Sequence, residues 1–322
     1  MVHVGPLPPP LGGISVYLYR LSRIEEQTEI IDENQFRTQN QFWLWIAEQF
    51  FNPQPALFVY HSPSLKRRMA FFMIHLLTHH KFAIVSHGNG LENSYNRAGR
   101  LKRLLIRKML SAADYIQVVN PLIAEFINSI NINPSNLFVR NAFLPPPVDD
   151  EEKIIATYPN DLLNFIESHQ PLIIANAFRL VFHNGLDLYG LDMCIELVDR
   201  LKNEFAKVGL IFALADDNAN NGYLIKSKHD IEKRGLKDHF SFLTEQREIW
   251  PLFKKADLMV RPTSTDGYGI SIAEALYFGC PAIASDVCER PSGSILFISR
   301  NLDDFYLKAY KILTKNCKGR LY

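Results

Sequence analysis

Apolar residues along the chain fall into two alternating forms. Short continuous runs rich in Val, Ile, Leu, Phe and Tyr are separated by longer stretches in which apolar positions return every three or four residues. Continuous runs are expected of strands buried on both faces, and three-four spacing of helices that cover them, so the alternation predicts parallel sheets flanked by helices. In the first half the pattern predicts strands at 1–4, 56–61, 82–86, 115–119 and 137–140, with helices at 13–24, 40–51, 65–77, 97–111 and 122–130. Pro145-Pro146-Pro147 and the charged stretch Val148-Asp-Asp-Glu-Glu-Lys153 then interrupt it, a stiff and hydrated segment of the kind that separates domains. The alternation restarts with strands at 172–175, 209–214, 240–242, 258–260 and 282–284 and helices at 190–205, 222–234, 248–255, 270–278 and 302–314. Two doubly wound α/β domains are therefore expected, 1–150 and 151–322, the last helix being a candidate to pack back on the first. In such folds ligands bind beyond the carboxyl ends of the strands, which directs attention to a cleft between the halves.

Composition narrows the classes. The chain has 322 residues, 47% hydrophobic and 21% charged, enough for two cores and unlike a disordered or fibrous chain. Net charge is +1, which gives no field for nucleic acid, but it divides unevenly: residues 1–147 carry 14 basic and 9 acidic groups, residues 148–322 carry 21 and 25. Cys194, Cys280, Cys288 and Cys317 have no paired spacing, so reduced thiols in a cytoplasmic protein are expected. No apolar run approaches the length of a membrane span, and no secretory leader is expected before the glycine and proline cluster at 5–13.

The segment with the most chemistry runs from Arg261 to Pro281. A strand ends at Arg261, the loop Pro262 to Gly269 follows, and a helix opens near Gly269 and closes at Gly279. The amides of Gly267, Tyr268, Gly269, Ile270 and Ser271 at a helix start suit a phosphate. Asp266 and Glu274 can accept hydrogen bonds from sugar or ribose hydroxyls. On residue chemistry alone, a strand-loop-helix whose glycines serve only the turn is an equal reading.

Asp266-x7-Glu274, followed by Ala275-Leu276 and Gly279-Cys280-Pro281-Ala282-Ile283-Ala284-Ser285, resembles the acid-x7-Glu signature of retaining glycosyltransferases of the GT-B fold, family 4 (glycosyl transferases group 1) type. Gly5-Pro-Leu-Pro-Pro-Pro-Leu-Gly12-Gly13-Ile14 resembles that family's first loop. His87-Gly88-Asn89-Gly90 matches its cleft-edge histidine, and Asn141-Ala-Phe-Leu-Pro-Pro-Pro its exit from the first domain. The resemblance implies two Rossmann-like domains, acceptor side first and nucleotide-sugar side second. It implies that Asp266 contacts the donor sugar, Glu274 the ribose, Gly12, Gly13 and the amides 267–271 the region of the diphosphate, and His87 the reacting centre. Arg179 in Ala177-Phe178-Arg179-Leu180 matches the family's phosphate-binding arginine, whereas the companion lysine falls on Tyr189, which carries no charge. Either Arg179 and the helix start carry the phosphate charge, or another cation does, or donor binding is weak, with inactivity as the extreme case. Asp266 stands where Glu is usual.

The implied activity is transfer of a sugar from a UDP- or GDP-sugar to a glycan or lipid-linked hydroxyl, by front-face attack with retention, in polysaccharide or lipopolysaccharide synthesis. No cofactor or metal is expected: His75, His79 and His80 have one i, i+4 pair and no acid between them. Rivals are a non-catalytic relative, an epimerase and a phosphorylase, and a shortened reading frame is also considered. Residues 97–110 hold six basic groups with Leu101, Leu104, Leu105 and Met109 at helical spacing. Such a helix either buries that stripe on its own sheet or lies on the anionic inner membrane face, toward which Lys66-Arg67-Arg68 also point.

Overall fold

The computed structural model describes residues 1–25, 28–36, 38–88, 90–130, 132, 136–218 and 221–319, the last three by backbone alone. The chain divides into two compact units, Met1–Leu144 and Pro145–Tyr322, so the division falls at the start of the proline run rather than after residue 150.

The first unit contains strands β1 (Val2–Gly5), β2 (Glu29–Asp32), β3 (Leu57–Tyr60), β4 (Lys81–Ser86), β5 (Tyr115–Val118) and β6 (Leu137–Val139). Its helices are α1 (Gly13–Ile24), α2 (Gln39–Gln49), α3 (Leu65–Leu77), α4 (Gly90–Asn96), α5 (Arg100–Ala112) and α6 (Pro121–Ser129). All pairings are parallel and the order is β2-β1-β3-β4-β5-β6, so the winding reverses between β1 and β3. The helix starts follow local chemistry. Thr38 caps α2 in a reciprocal box with Gln41, Ser64 caps α3, and Asn120 caps α6 just before Pro121.

The second unit contains α7 (Glu151–Ile155), α8 (Asn160–Ser168), β7 (Leu172–Arg179), the hairpin β8 (Phe182–His183) and β9 (Leu186–Asp187), α9 (Leu191–Leu201), β10 (Gly209–Asp216), α10 (Gly222–Lys233), β11 (Phe240–Thr244), α11 (Trp250–Phe253), β12 (Leu258–Arg261), α12 (Ile270–Tyr277), β13 (Ala282–Ser285), β14 (Ile295–Phe297) and α13 (Leu302–Gly319). Its parallel sheet has the order β11-β10-β7-β12-β13-β14, reversing between β7 and β12. Alternate residues of β7 enter different cores: Ile173, Ala175 and Ala177 face one cluster, Leu172 and Ile174 the other. Burial on both faces is why these strands read as continuous apolar runs. The last helix packs on α9 and on β12, β13 and β14 of its own unit, burying Phe305, Ala309 and Leu313 at four-residue steps.

Several elements escape the apolar pattern. β2 is an edge strand of sequence Glu-Ile-Ile-Asp with no fully buried residue, and the β8–β9 hairpin turns through Asn184 and Gly185 with little burial. The helix expected at 97–111 begins only at Arg100, where Gly99 takes an extended conformation, and a separate short helix, α4, precedes it. Of the stripe expected on α5 only Met109 is buried. Ile106, Met109 and Leu110 are buried, whereas Leu101, Leu104 and Leu105 are 73%, 48% and 41% exposed beside Arg100, Lys102, Arg103 and Lys108. Nor do Lys66, Arg67 and Arg68 form one basic surface: Arg67 turns to Glu33 and Arg68 is buried. No helix among the described residues is long and apolar enough to cross a membrane.

Candidate functional site

Because every strand of the second sheet is parallel, the last residues of β10, β7, β12 and β13 line up along one edge. Arg179, Asp216, Arg261 and Ser285 lie there, on both sides of the point where the winding reverses. Arg261 leads into the loop to α12. That loop ends at Gly269, whose φ of 88° is the left-handed conformation that favours glycine, and the Gly269 carbonyl accepts from Ile272 and Ala273 to start the helix. The expected strand, glycine loop and helix are therefore in place, with Gly267, Tyr268, Gly269, Ile270 and Ser271 at the helix start and Glu274 one turn further, only 6% exposed.

What the pattern did not disclose is how the loop is held. Oδ2 of Asp266 accepts from Nε of Arg261 at 2.6 Å and from Nη1 of Arg290 at 2.7 Å, while Oδ1 accepts from the Gly267 amide at 2.9 Å. Burial disfavours the Asp266 charge, but the two guanidinium groups outweigh it and hold the carboxyl far below the usual carboxylate range. Arg290 reaches further, from Nη2 to Thr263 Oγ1 at 2.8 Å and from Nε to the Ser285 carbonyl at 3.0 Å. It thereby ties the loop to the end of β13. Arg261 also reaches Asn176 Oδ1 on β7 at 3.1 Å. Asp266, expected on the donor sugar, is thus first an internal counter-ion, and the cluster of two arginines and one aspartate keeps a net positive charge beneath the helix start.

Tyr189, the residue in the family's lysine place, lies against this cluster: the Arg261 guanidinium sits 5.5 Å from its ring centroid. Its neighbourhood is fixed by Asp187, which accepts from the amides of Tyr189 and Leu191 and from the hydroxyl of Tyr223 at 2.8 to 3.0 Å. Gly190, with φ of 72°, brings this turn directly onto Pro262. Arg179 stands at the end of β7, its side chain 56% exposed and 3.3 Å from Asp216, which is 41% exposed. An exposed pair of that kind contributes about 0–1 kcal/mol, so it leaves the guanidinium able to turn to a ligand.

The first-unit residues fall at the corresponding edge of the first sheet. Gly12 and Gly13 open α1, but the Gly12 amide is already committed to the Pro10 carbonyl and the Ser15 hydroxyl. His87 follows β4, with its Nε2 3.0 Å from Nδ1 of His61. Asn89 of the same motif lies outside the described residues. Burial, with Arg68 as a further cause, brings His87 down to about 3, so its imidazole is neutral at physiological pH. Sequence reasoning missed Arg290, Asp187 and Tyr223 in the second unit and His3, His61 and Arg68 in the first. Their one shared signal is a polar residue at or just beyond an apolar run. Among the described residues no group of three or more His, Cys, Asp or Glu is arranged to hold a metal.

Residues 169–293 match the family described as Glycosyl transferases group 1. The chain is similar to the lipopolysaccharide glucosyltransferase WaaG of Escherichia coli (strain K12), 24% identical over 168 residues. That stretch is 52% of this chain and 42% of the relative, so the match spans less than half of that protein's length. Among solved structures, Anabaena Alr3699/HepE in complex with UDP superposes with a TM-score of 0.70 at 12% identity, covering 98% of this chain and 90% of that one. Sucrose-phosphate synthase from Thermosynechococcus elongatus gives 0.65 at 13% identity, covering 97% and 89%. Residues 169–293 therefore carry a glycosyl transferases group 1 domain, in a chain with the GT-B fold.

Proposed function

We propose that the protein is a retaining, metal-independent glycosyltransferase of family 4 type, moving a hexosyl group from a UDP- or GDP-sugar to a hydroxyl acceptor. The observation that carries this reading is the net-positive Arg261–Asp266–Arg290 cluster under the start of α12, with Glu274 buried one turn beyond. Anionic groups are favoured at a helix start, and an internal guanidinium cluster adds to that preference. The UDP complex of the Anabaena protein and the glucosyltransferase name of the Escherichia coli relative agree with a nucleotide-sugar donor.

In this mechanism the amides of Gly267 to Ser271 and the side chain of Arg179 take the diphosphate, and Glu274 accepts from the ribose hydroxyls. The bond from the sugar's anomeric carbon to the diphosphate breaks as the bond to the acceptor oxygen forms on the same face. The acceptor proton passes to the departing phosphate oxygen. Stabilising charge on that oxygen is the largest contribution the protein makes, and it falls to Arg179 and the amides. Asp266 acts by holding the loop in register. His87 contributes a neutral imidazole that orients hydroxyl groups.

A thermal-shift series with UDP-, GDP-, ADP- and dTDP-sugars tests the donor assignment, since a ligand that binds the folded state raises the midpoint. Glu274→Ala is expected to weaken the best nucleotide by about 10-fold or more, the magnitude of a hydrogen bond to a charged group. Equal binding by that variant would remove the ribose role. Nucleoside diphosphate released only when acceptor is present separates a transferase from an epimerase or a non-catalytic relative.

The acceptor we assign to the first unit is lipid-linked, in cell-surface polysaccharide or lipopolysaccharide synthesis on the cytoplasmic membrane face. The exposed Leu101, Leu104 and Leu105 amid the cations of α5 support it, because each cation near an anionic surface adds about 1 kcal/mol. The protein should sediment with phosphatidylglycerol vesicles and stay in solution with pure phosphatidylcholine. The double substitution Leu104→Glu, Leu105→Glu should abolish sedimentation while leaving thermal stability unchanged, as both positions face solvent.

A further inference from the structure

The winding of the first sheet reverses between β1 and β3, and at that point three imidazoles form a row. His61 Nε2 lies 2.8 Å from His3 Nδ1, and His61 Nδ1 lies 3.0 Å from His87 Nε2. At the outer end His3 Nε2 meets the Met1 sulfur at 3.2 Å, and at the inner end His87 Nδ1 is buried with no hydrogen-bond partner among the described residues. Gly5 permits this closeness, since a Cβ there would stand 3.2 Å from Cβ of His61 and 2.7 Å from Leu18.

Arg68, on α3 directly after β3, lies close enough to His61 and His87 that its charge disfavours a proton on either. It is 2% exposed, and among the described residues its side chain makes no hydrogen bond or ion pair, with Nε a buried atom lacking any partner. The acid that could have neutralised it, Glu33, is committed to Tyr60, Ser62 and Arg67. A buried guanidinium without a counter-charge is costly to keep, and burial, partly offset by Tyr60, brings Arg68 down to about 10. Arg68 Nε and His87 Nδ1 are thus both buried and without a partner among the described residues.

We propose that Arg68 and His87 Nδ1 together form an oxyanion subsite in the first unit, for a phosphate or carboxylate group of a substrate. It deepens the transferase reading and rests on it for the word substrate. The histidine row explains how a neutral ring can serve an anion. With every ring neutral, each carries one proton, and the row has one of two polarities. In the first, all three protons sit on Nε2, His3 points at the Met1 sulfur, and His87 Nδ1 is a bare lone pair. In the second, all three sit on Nδ1, and His87 Nδ1–H donates to the anion beside Arg68. Passage from one to the other brings a proton from water onto His87 Nδ1 and releases one to water from His3 Nε2, with no change in total charge. Only a weak contact to a thioether is lost. His3, at about 4, and His87, at about 3, both remain neutral at pH 7, burial being the main cause in each.

The test uses the full chain labelled with 15N-histidine at pH 7, titrated with inorganic phosphate against sodium chloride of equal ionic strength. Phosphate is expected to move His87, His61 and His3 together from the Nε2–H to the Nδ1–H form in nitrogen-detected spectra, and chloride is not. In Arg68→Met, whose thioether side chain removes the unpaired charge, the apparent phosphate affinity at His87 should fall by about tenfold or more. No tautomer change in the wild type, or a change kept at full affinity in Arg68→Met, overturns the proposal. Should Arg68→Met fail to fold, the wild-type spectra decide alone. UDP and glucose 6-phosphate distinguish the source of the oxyanion. If Arg68→Met weakens UDP, the group belongs to the donor diphosphate; if it weakens only glucose 6-phosphate, it belongs to the acceptor. Absence of any nucleotide binding would remove the transferase reading while leaving the phosphate response at His87 to be judged by itself.

Discussion

Asp266→Ala is expected to destabilise the second unit by about 3–5 kcal/mol, the usual consequence of removing one member of a buried ion pair. Its carboxylate accepts from Arg261 and Arg290, whose side chains are 12% and 1% exposed, so truncation leaves two guanidinium groups facing each other with no anion between them. Trp250 is buried in the same unit and reports its unfolding once Trp43 and Trp45 are replaced by Phe. Urea titration of that background followed by tryptophan fluorescence gives the number. If Asp266 served only a bound sugar, the midpoint would not move. A double variant, Asp266→Ala with Arg290→Met, should recover part of the loss, because it also removes one of the stranded charges. Activity of Asp266→Asn should fall with the order of the loop, in the binding of nucleotide as much as in turnover.

Gly190→Ala should be the most damaging single methyl in the chain. Its Cβ would sit 2.3 Å from the Pro262 carbonyl oxygen and 2.8 Å from the Pro262 ring, at a φ of 72° that an L-residue resists. The two penalties together amount to at least about 3 kcal/mol, with the turn ahead of α9 forced off the loop ahead of α12. Gly185→Ala is the matched control: φ is 78°, but the added methyl meets nothing within 4 Å, so only the backbone penalty of about 1 kcal/mol remains. Thermal unfolding of the pair separates collision from conformation. A Gly190→Ala protein as stable as Gly185→Ala would mean that the Pro262 contact yields without cost.

Both predictions concern contacts that no run of residues announces. The inner strands of the second sheet were legible because they are apolar on both faces, and the bounds expected for α1 and α3, 13–24 and 65–77, match those observed. Two of the edge strands were not: Glu29–Asp32 and Ile295–Phe297 are short and half exposed, so apolar continuity says little about them. α5 shows a subtler limit. Its leucines and its Ile106-Met109-Leu110 stripe have the same helical period, and only the sheet beneath decides which of the two is covered.

At the candidate site the same division holds. Gly267, Gly269, the start of α12 and the position of Glu274 follow from local order, since a strand end, a loop closing on a left-handed glycine and a helix follow one another between residues 258 and 277. The pairing of Asp266 with Arg290, the ring of Tyr189 against Arg261, and the row His3, His61, His87 do not. These groups are 24, 72 and up to 84 residues apart, and they meet because parallel strands deliver their last residues to one edge. Sequence by itself determined the alternation of strands and helices, the glycine-bearing turn ahead of α12 and its acid, because those depend on spacing within a few residues. The tertiary structure alone decided which charges are neutralised and which, like Arg68, are left buried and unmatched, because an ionic environment is set by strand order and burial.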